Sequence, residues 1–64
     1  MVPLELYRVF HEVATAGSFS QAAQRLYVSQ SAVSQSIAQL ERLVGRRLLE
    51  RSRRGVALTP EGKL

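Results

Sequence analysis

The sequence predicts a mainly α-helical fold: three helices, then a two-stranded β-hairpin, then the start of a fourth helix. Three observations predict it. Apolar residues recur at helical spacing in three stretches up to residue 44, each bounded by a capping residue or a glycine. The period then changes around a basic segment holding Gly55, and Thr59-Pro60-Glu61 supplies the residues that open a helix.

The first helix is expected from Pro3, whose missing N–H suits a first turn, with Glu5 at the positive end of the helix dipole. Leu6, Val9, Phe10 and Val13 share one face, and Gly17 offers a left-handed stop. Ser18 and Gln21 fit a reciprocal capping box that opens helix 2, whose stripe is Phe19, Ala22, Ala23 and Leu26. The two alanines predict a close helix crossing. Ser29 is the N-cap expected for helix 3, which runs from Gln30 to about Val44 before Gly45. Val33, Ile37, Leu40 and Val44 form its core stripe, and Ser31, Ser34, Gln35, Ala38 and Arg42 its outer face. Leu48–Arg51 and Val56–Leu58 read as strands around Ser52-Arg53-Arg54-Gly55. Gly62 weakens the start of the fourth helix, and the chain is expected to continue past Leu64.

With 64 residues the chain has room for one small core, and without cysteine its stability must come from packing alone. The N-terminus lacks the pattern of a secretory signal, and no apolar run has the length of a membrane span, so a cytoplasmic location with no membrane partner is expected.

Charge points to a partner. Nine Lys and Arg against five acidic residues give +4. The excess is local, because Arg42, Arg46, Arg47, Arg51, Arg53 and Arg54 face only Glu50 within residues 42–54. A solvated surface usually interleaves both signs. A one-signed run beside a glycine-tipped hairpin suits phosphates or a narrow minor groove.

Helices 2 and 3, joined by a tight connection, the second with an uncharged hydrogen-bonding face, have the geometry that enters a major groove. The outer face of helix 3 carries Ser and Gln, short enough to approach base edges. Gln can pair with adenine N6 and N7, and Ser can donate or accept. The bland alternative for this face is simple solvation.

Other chemistries lack their parts. His11 is the one histidine and has no partners for a metal or an acid–base pair, and no nucleophile arrangement or Gly-rich phosphate loop is present. Neither enzyme activity nor a cofactor is expected. Tyr7 and Tyr27 are too few for a base-stacking platform and read as partial core residues with hydroxyls in water.

The residues also resemble a known family. Gly17-Ser18-Phe19-Ser20-Gln21-Ala22-Ala23-Gln24-Arg25-Leu26 is similar to the GSF-[ST]-x-AA-x-x-L run of the LysR-type regulators. Val28-Ser29-Gln30-Ser31-Ala32-Val33-Ser34-Gln35-Ser36-Ile37 is similar to their VSQ-x-A-[LV]-S-x-x-I. Leu40-Glu41, Gly45, Leu48, Glu50-Arg51, Arg54-Gly55, Leu58-Thr59 and Gly62 continue the register.

The resemblance implies a winged helix-turn-helix DNA-binding domain over residues 1–58, with helix 3 in the major groove and the hairpin, its wing, at the minor groove and phosphates. Residues 59–64 would then begin a linker helix that pairs two subunits. It further implies double-stranded promoter DNA as partner, a homodimer or tetramer, and a small effector bound by a domain outside this chain. The candidate DNA-contacting residues are Ser18, Ser20, Gln30, Ser31, Ser34, Gln35, Arg51, Arg53 and Arg54. Two departures bear on specificity: Ser31 stands where proline is common, and Gln35-Ser36 replaces a frequent Arg-Gln pair. Losing that arginine removes the commonest guanine contact and shifts the expected preference toward adenine. Two rivals stay open, another winged-helix regulator such as the molybdate-responsive repressors and a winged helix used only for protein contacts.

Overall fold

A computed structural model of the chain describes residues 3–52 and 55–63. Helix α1 spans Leu4–Ala16, α2 Phe19–Leu26 and α3 Gln30–Val44. Strands β1 (Leu49–Ser52) and β2 (Gly55–Leu58) then form an antiparallel pair, and a 3-10 turn covers Glu61–Lys63.

Each helix boundary has a local cause. Pro3 sits at the N-cap of α1, one place before the first turn, and its carbonyl accepts the Leu6 N–H. Gly17 stops α1 with φ 71°, and its N–H donates to the Val13 carbonyl at 2.8 Å. Ser18 and Ser29 are extended N-caps whose hydroxyls accept the N–H groups of Gln21 at 3.2 Å and Ala32 at 3.1 Å. Only half of the expected capping box is made. Among the described residues the exposed Gln21 side chain gives no return bond to the Ser18 N–H.

The core is one cluster with a smaller satellite. Val13, Phe19, Ala22, Ala23, Val33, Ile37 and Leu49 form the main body, so all three helices and the wing contribute to it. Leu6, Leu40 and Leu48 form the second body, and Phe10 touches both. Ala22 and Ala23 are buried beside Val33 and Ile37, as a close α2–α3 crossing requires.

Three residues expected in or at the core are not in it, among them Tyr7 of α1, which is 49% exposed. Val44 is 40% exposed, because the α3 stripe ends at Leu40 and the last turn runs past the small body of the domain. Tyr27 is 94% exposed. It lies beyond the end of α2 with φ 58°, a left-handed conformation that swings its ring off the Phe19–Leu26 stripe.

The wing starts one residue later than its pattern suggested. The Leu48 and Leu49 N–H groups both donate to Oε2 of Glu41, at 2.8 and 3.2 Å, so a carboxylate of α3 holds the entry to β1. Pairing then runs from Leu49 with Leu58 to Ser52 with Gly55. Gly55 answers two demands at once. Its φ is 120°, and a Cβ there would lie 2.6 Å from the Gly17 carbonyl oxygen, which accepts the Val56 N–H at 3.0 Å. The wing is thereby fastened to the α1–α2 turn.

Thr59 closes the domain. It is 4% exposed; its hydroxyl donates to the Arg47 carbonyl at 2.6 Å and accepts the Gly62 N–H at 3.1 Å, as an N-cap does. Its own N–H donates to Leu48. Gly62 serves this contact, since a Cβ there would lie 2.3 Å from the Leu48 carbonyl oxygen.

Candidate nucleic-acid interface

Helix α3 has three sides. Val33, Ile37 and Leu40 face the core. Ser31, Gln35, Ala38 and Arg42, at helical spacing, are all exposed on the opposite side. Ser34 and Glu41 lie between the two, both half-buried and turned toward the wing. At 1.5 Å per residue the helix is about 22 Å long, and its outward side chains are short or flexible.

The wing side of α3 is a shallow depression lined by Phe19, Ser34, Ala38, Glu41, Arg47 and Arg51. Arg51 defines it. Its guanidinium lies over the Phe19 ring, 4.0 Å from the centroid, and Nη2 donates to Ser34 Oγ at 2.9 Å. One side chain thus joins the wing, the start of α2 and the middle of α3.

The candidate residues fall into three groups. Ser31, Ser34 and Gln35 share the outer and wing-facing sides of α3, with exposed Gln30 at its first turn. Ser18 and Ser20 lie at the start of α2, where Ser18 spends a lone pair on capping and Ser20 is exposed. Gln30, Ser18, Phe19, Arg51 and Ser52 line a second small cleft at the wing base, so these groups meet there. Arg51 is exposed yet engaged within the fold. The expectations for Arg53 and Arg54 lie outside the described residues.

Sequence reasoning overlooked the Arg51–Phe19–Ser34 contact and the Glu41 clasp. Both join residues distant in the chain, and no local pattern announces such pairs. The available signal was a half-polar helix side, Ser34 and Glu41 seven residues apart, next to the core stripe.

Among the described residues no group of His, Cys, Asp and Glu could hold a metal, and no helix is long and apolar enough to cross a membrane. The lone ion pair among them, Arg25 with Glu12 at 3.7 Å, is at the surface and far from ideal geometry.

Residues 4–63 match the family model of the bacterial regulatory helix-turn-helix proteins of the lysR family. The chain belongs to the LysR family. It is 47% identical over 57 residues to the HTH-type transcriptional regulator TfdT of Cupriavidus pinatubonensis, covering 89% of this chain and 25% of that protein. It is 44% identical over 62 residues to the HTH-type transcriptional regulator PerR of Escherichia coli, covering 97% of this chain and 21% of that protein. The chain therefore spans about a fifth to a quarter of the length of these LysR-family relatives. Among solved structures, CbnR superposes with a TM-score of 0.93 at 40% identity over 97% of this chain and 22% of CbnR. The CbnR_DBD–DNA complex superposes with a TM-score of 0.92 at 40% identity, covering 97% of this chain and 71% of that one. The BenM_DBD complex with catB site 1 DNA gives 0.92 at 40% identity, covering 97% and 70%.

Proposed function

We propose that this chain is the DNA-reading domain of a bacterial transcription regulator, with α3 in the major groove and the arginine-bearing wing at the minor groove and phosphates. The observation that carries the proposal is the outer face of α3. Ser31, Gln35, Ala38 and Arg42 are all exposed there, uncharged for three of the four positions, on a helix whose opposite side is wholly apolar. A groove about 12 Å wide admits such a helix, and these side chains can reach base edges without large charges competing for phosphate. Ser31 and Gln35 specify, with Ser34 beside them; Ser18, Ser20 and Gln30 orient the helix pair on the backbone; Arg51, Arg53 and Arg54 hold the flank.

Residues 1–58 form the DNA-binding unit and residues 59–64 begin the linker through which two or four copies assemble on promoter DNA. A separate domain takes the small effector. The domain works in the cytoplasm and catalyses no reaction. Relatives named as transcriptional regulators, and the fit to folds solved on DNA, support this reading.

Retention on bulk duplex DNA at low and high salt tests it, together with selection from a pool of random duplexes. Binding should fall steeply as salt rises, and selection should return a recurrent sequence. Salt-insensitive retention, or a pool that stays random, would favour a winged helix that binds proteins.

A further inference from the structure

Arg51 makes more contacts than a cation in search of phosphate needs. Its backbone pairs with Val56 in the hairpin, and its guanidinium rests on the ring of Phe19, which is only 6% exposed. Its Nη2 meets Ser34 Oγ at 2.9 Å. We propose that Arg51 is a positioning residue that fixes the Ser34 hydroxyl as a hydrogen-bond donor, so that α3 selects base edges presenting acceptors at this place. The proposal rests on the DNA-reading function above.

A serine hydroxyl has one O–H and two lone pairs, and a free one rotates to suit its partner. By itself it reads several bases indiscriminately. Arginine removes that freedom because it has five donors, no acceptor, and no means of losing its charge. Ser34 must accept from it, and the O–H must point elsewhere. Serine in a helix often donates back to the preceding turn, but among the described residues Ser34 Oγ donates to no protein acceptor.

The proton is thus free for a partner on the open side of α3. A donor approaching the remaining lone pair meets the adjacent positive charge, which repels amino hydrogens and attracts electronegative atoms. The acceptors in the major groove are guanine N7 and O6, adenine N7 and thymine O4; the donors are cytosine N4 and adenine N6. Ser34 therefore favours the former and discriminates against cytosine on the strand that it faces.

The test uses the protein, its selected duplex and every single-base variant of that duplex, titrated at two salt concentrations. Ser34→Ala should flatten the preference at one base pair, where the wild type discriminates by roughly two- to tenfold. Arg51→Met removes the donors, while its thioether can still lie against Phe19. It should flatten the same base pair, and the double variant should lose no further preference there.

A second arm is independent of any Arg51 variant. At that base pair, a 7-deazapurine or 4-thiothymine, each weakening a major-groove acceptor, should reduce wild-type binding and leave Ser34→Ala unaffected. N4-methylcytosine or N6-methyladenine should leave both unchanged.

The proposal is overturned if Ser34→Ala flattens no position, if donor-blocked bases act through Ser34, or if Arg51→Met weakens all duplexes equally and keeps the preference at that pair. A wild type without sequence preference would overturn the proposal together with the DNA-reading function, whereas the other failures leave that function standing.

Discussion

Replacing Gly55 by alanine probes how firmly the wing is fastened to the helices. The backbone at φ 120° costs an L-residue about 1–3 kcal/mol. The new Cβ would also lie 2.6 Å from the Gly17 carbonyl oxygen, a backbone atom that cannot swing aside. Relief requires moving β2 away, which strains the Val56 N–H bond to that same oxygen, worth about 0.5–1.5 kcal/mol. The sum is about 1.5–4.5 kcal/mol, against a total stability of about 3–10 kcal/mol for a chain of this length. Gly17→Ala is the control. Its φ is 71° but nothing lies within 4 Å of the new Cβ, so its cost is the left-handed penalty alone, about 1–2 kcal/mol. Urea unfolding followed by far-ultraviolet circular dichroism reads both variants. Gly55→Ala should show the lower midpoint with an unchanged slope. If it unfolds at the same urea concentration as Gly17→Ala, or a higher one, the inferred docking of wing on turn is wrong.

Three further variants test the packing and capping. Ala23→Leu should overpack the cluster that holds Val33 and Ile37, cost about 1–3 kcal/mol in denaturant unfolding and abolish DNA binding with it; a stable variant that still binds would show the α2–α3 crossing to be misassigned. Ser29→Ala removes the hydroxyl that accepts the Ala32 N–H and should lower stability by about 1 kcal/mol, measured by thermal unfolding at fixed concentration. Glu41→Ala leaves the half-buried N–H groups of Leu48 and Leu49 without their carboxylate, which should cost about 1–3 kcal/mol. Native-state hydrogen exchange checks it, because those two amides should exchange faster than those within α3.

The helices were legible because their signals are local. Ser18, Ser29, Gly17 and Gly45 mark boundaries that the chain obeys to within a residue, and the stripes of α1 to α3 identify most of the core. On the outer face of α3, Ser31, Gln35, Ala38 and Arg42 follow from the same periodicity, whereas Ser34, expected with them, is half-buried toward the wing. What escaped depends on tertiary contact. Gly62 read as a weak helix start, yet it is required by the approach of the Leu48 carbonyl, which comes from a residue fourteen places earlier. Thr59 read as a cap, but its burial and its bond to Arg47 depend on where β1 leaves α3. Tyr27 looked apolar enough for the core, but the stop of α2 turns it outward. Arg51 read as one charge among six, and only the folded hairpin sets it on Phe19 beside Ser34.

If α3 reads sequence while the wing holds the duplex, a paired titration separates the two roles. Gln35→Ala and Arg54→Ala are each measured against the selected duplex, its single-base variants and random duplex over a range of salt. Gln35 is exposed on the outer face of α3, so its loss should cost about 1–3 kcal/mol on the selected duplex, map to one base pair and spare random duplex. Arg54→Ala should weaken all sequences together and reduce the slope of log affinity against log salt by roughly one unit. Uniform weakening by Gln35→Ala, together with a changed preference at one major-groove base pair for Arg54→Ala, would contradict the account and exchange the roles of helix and wing.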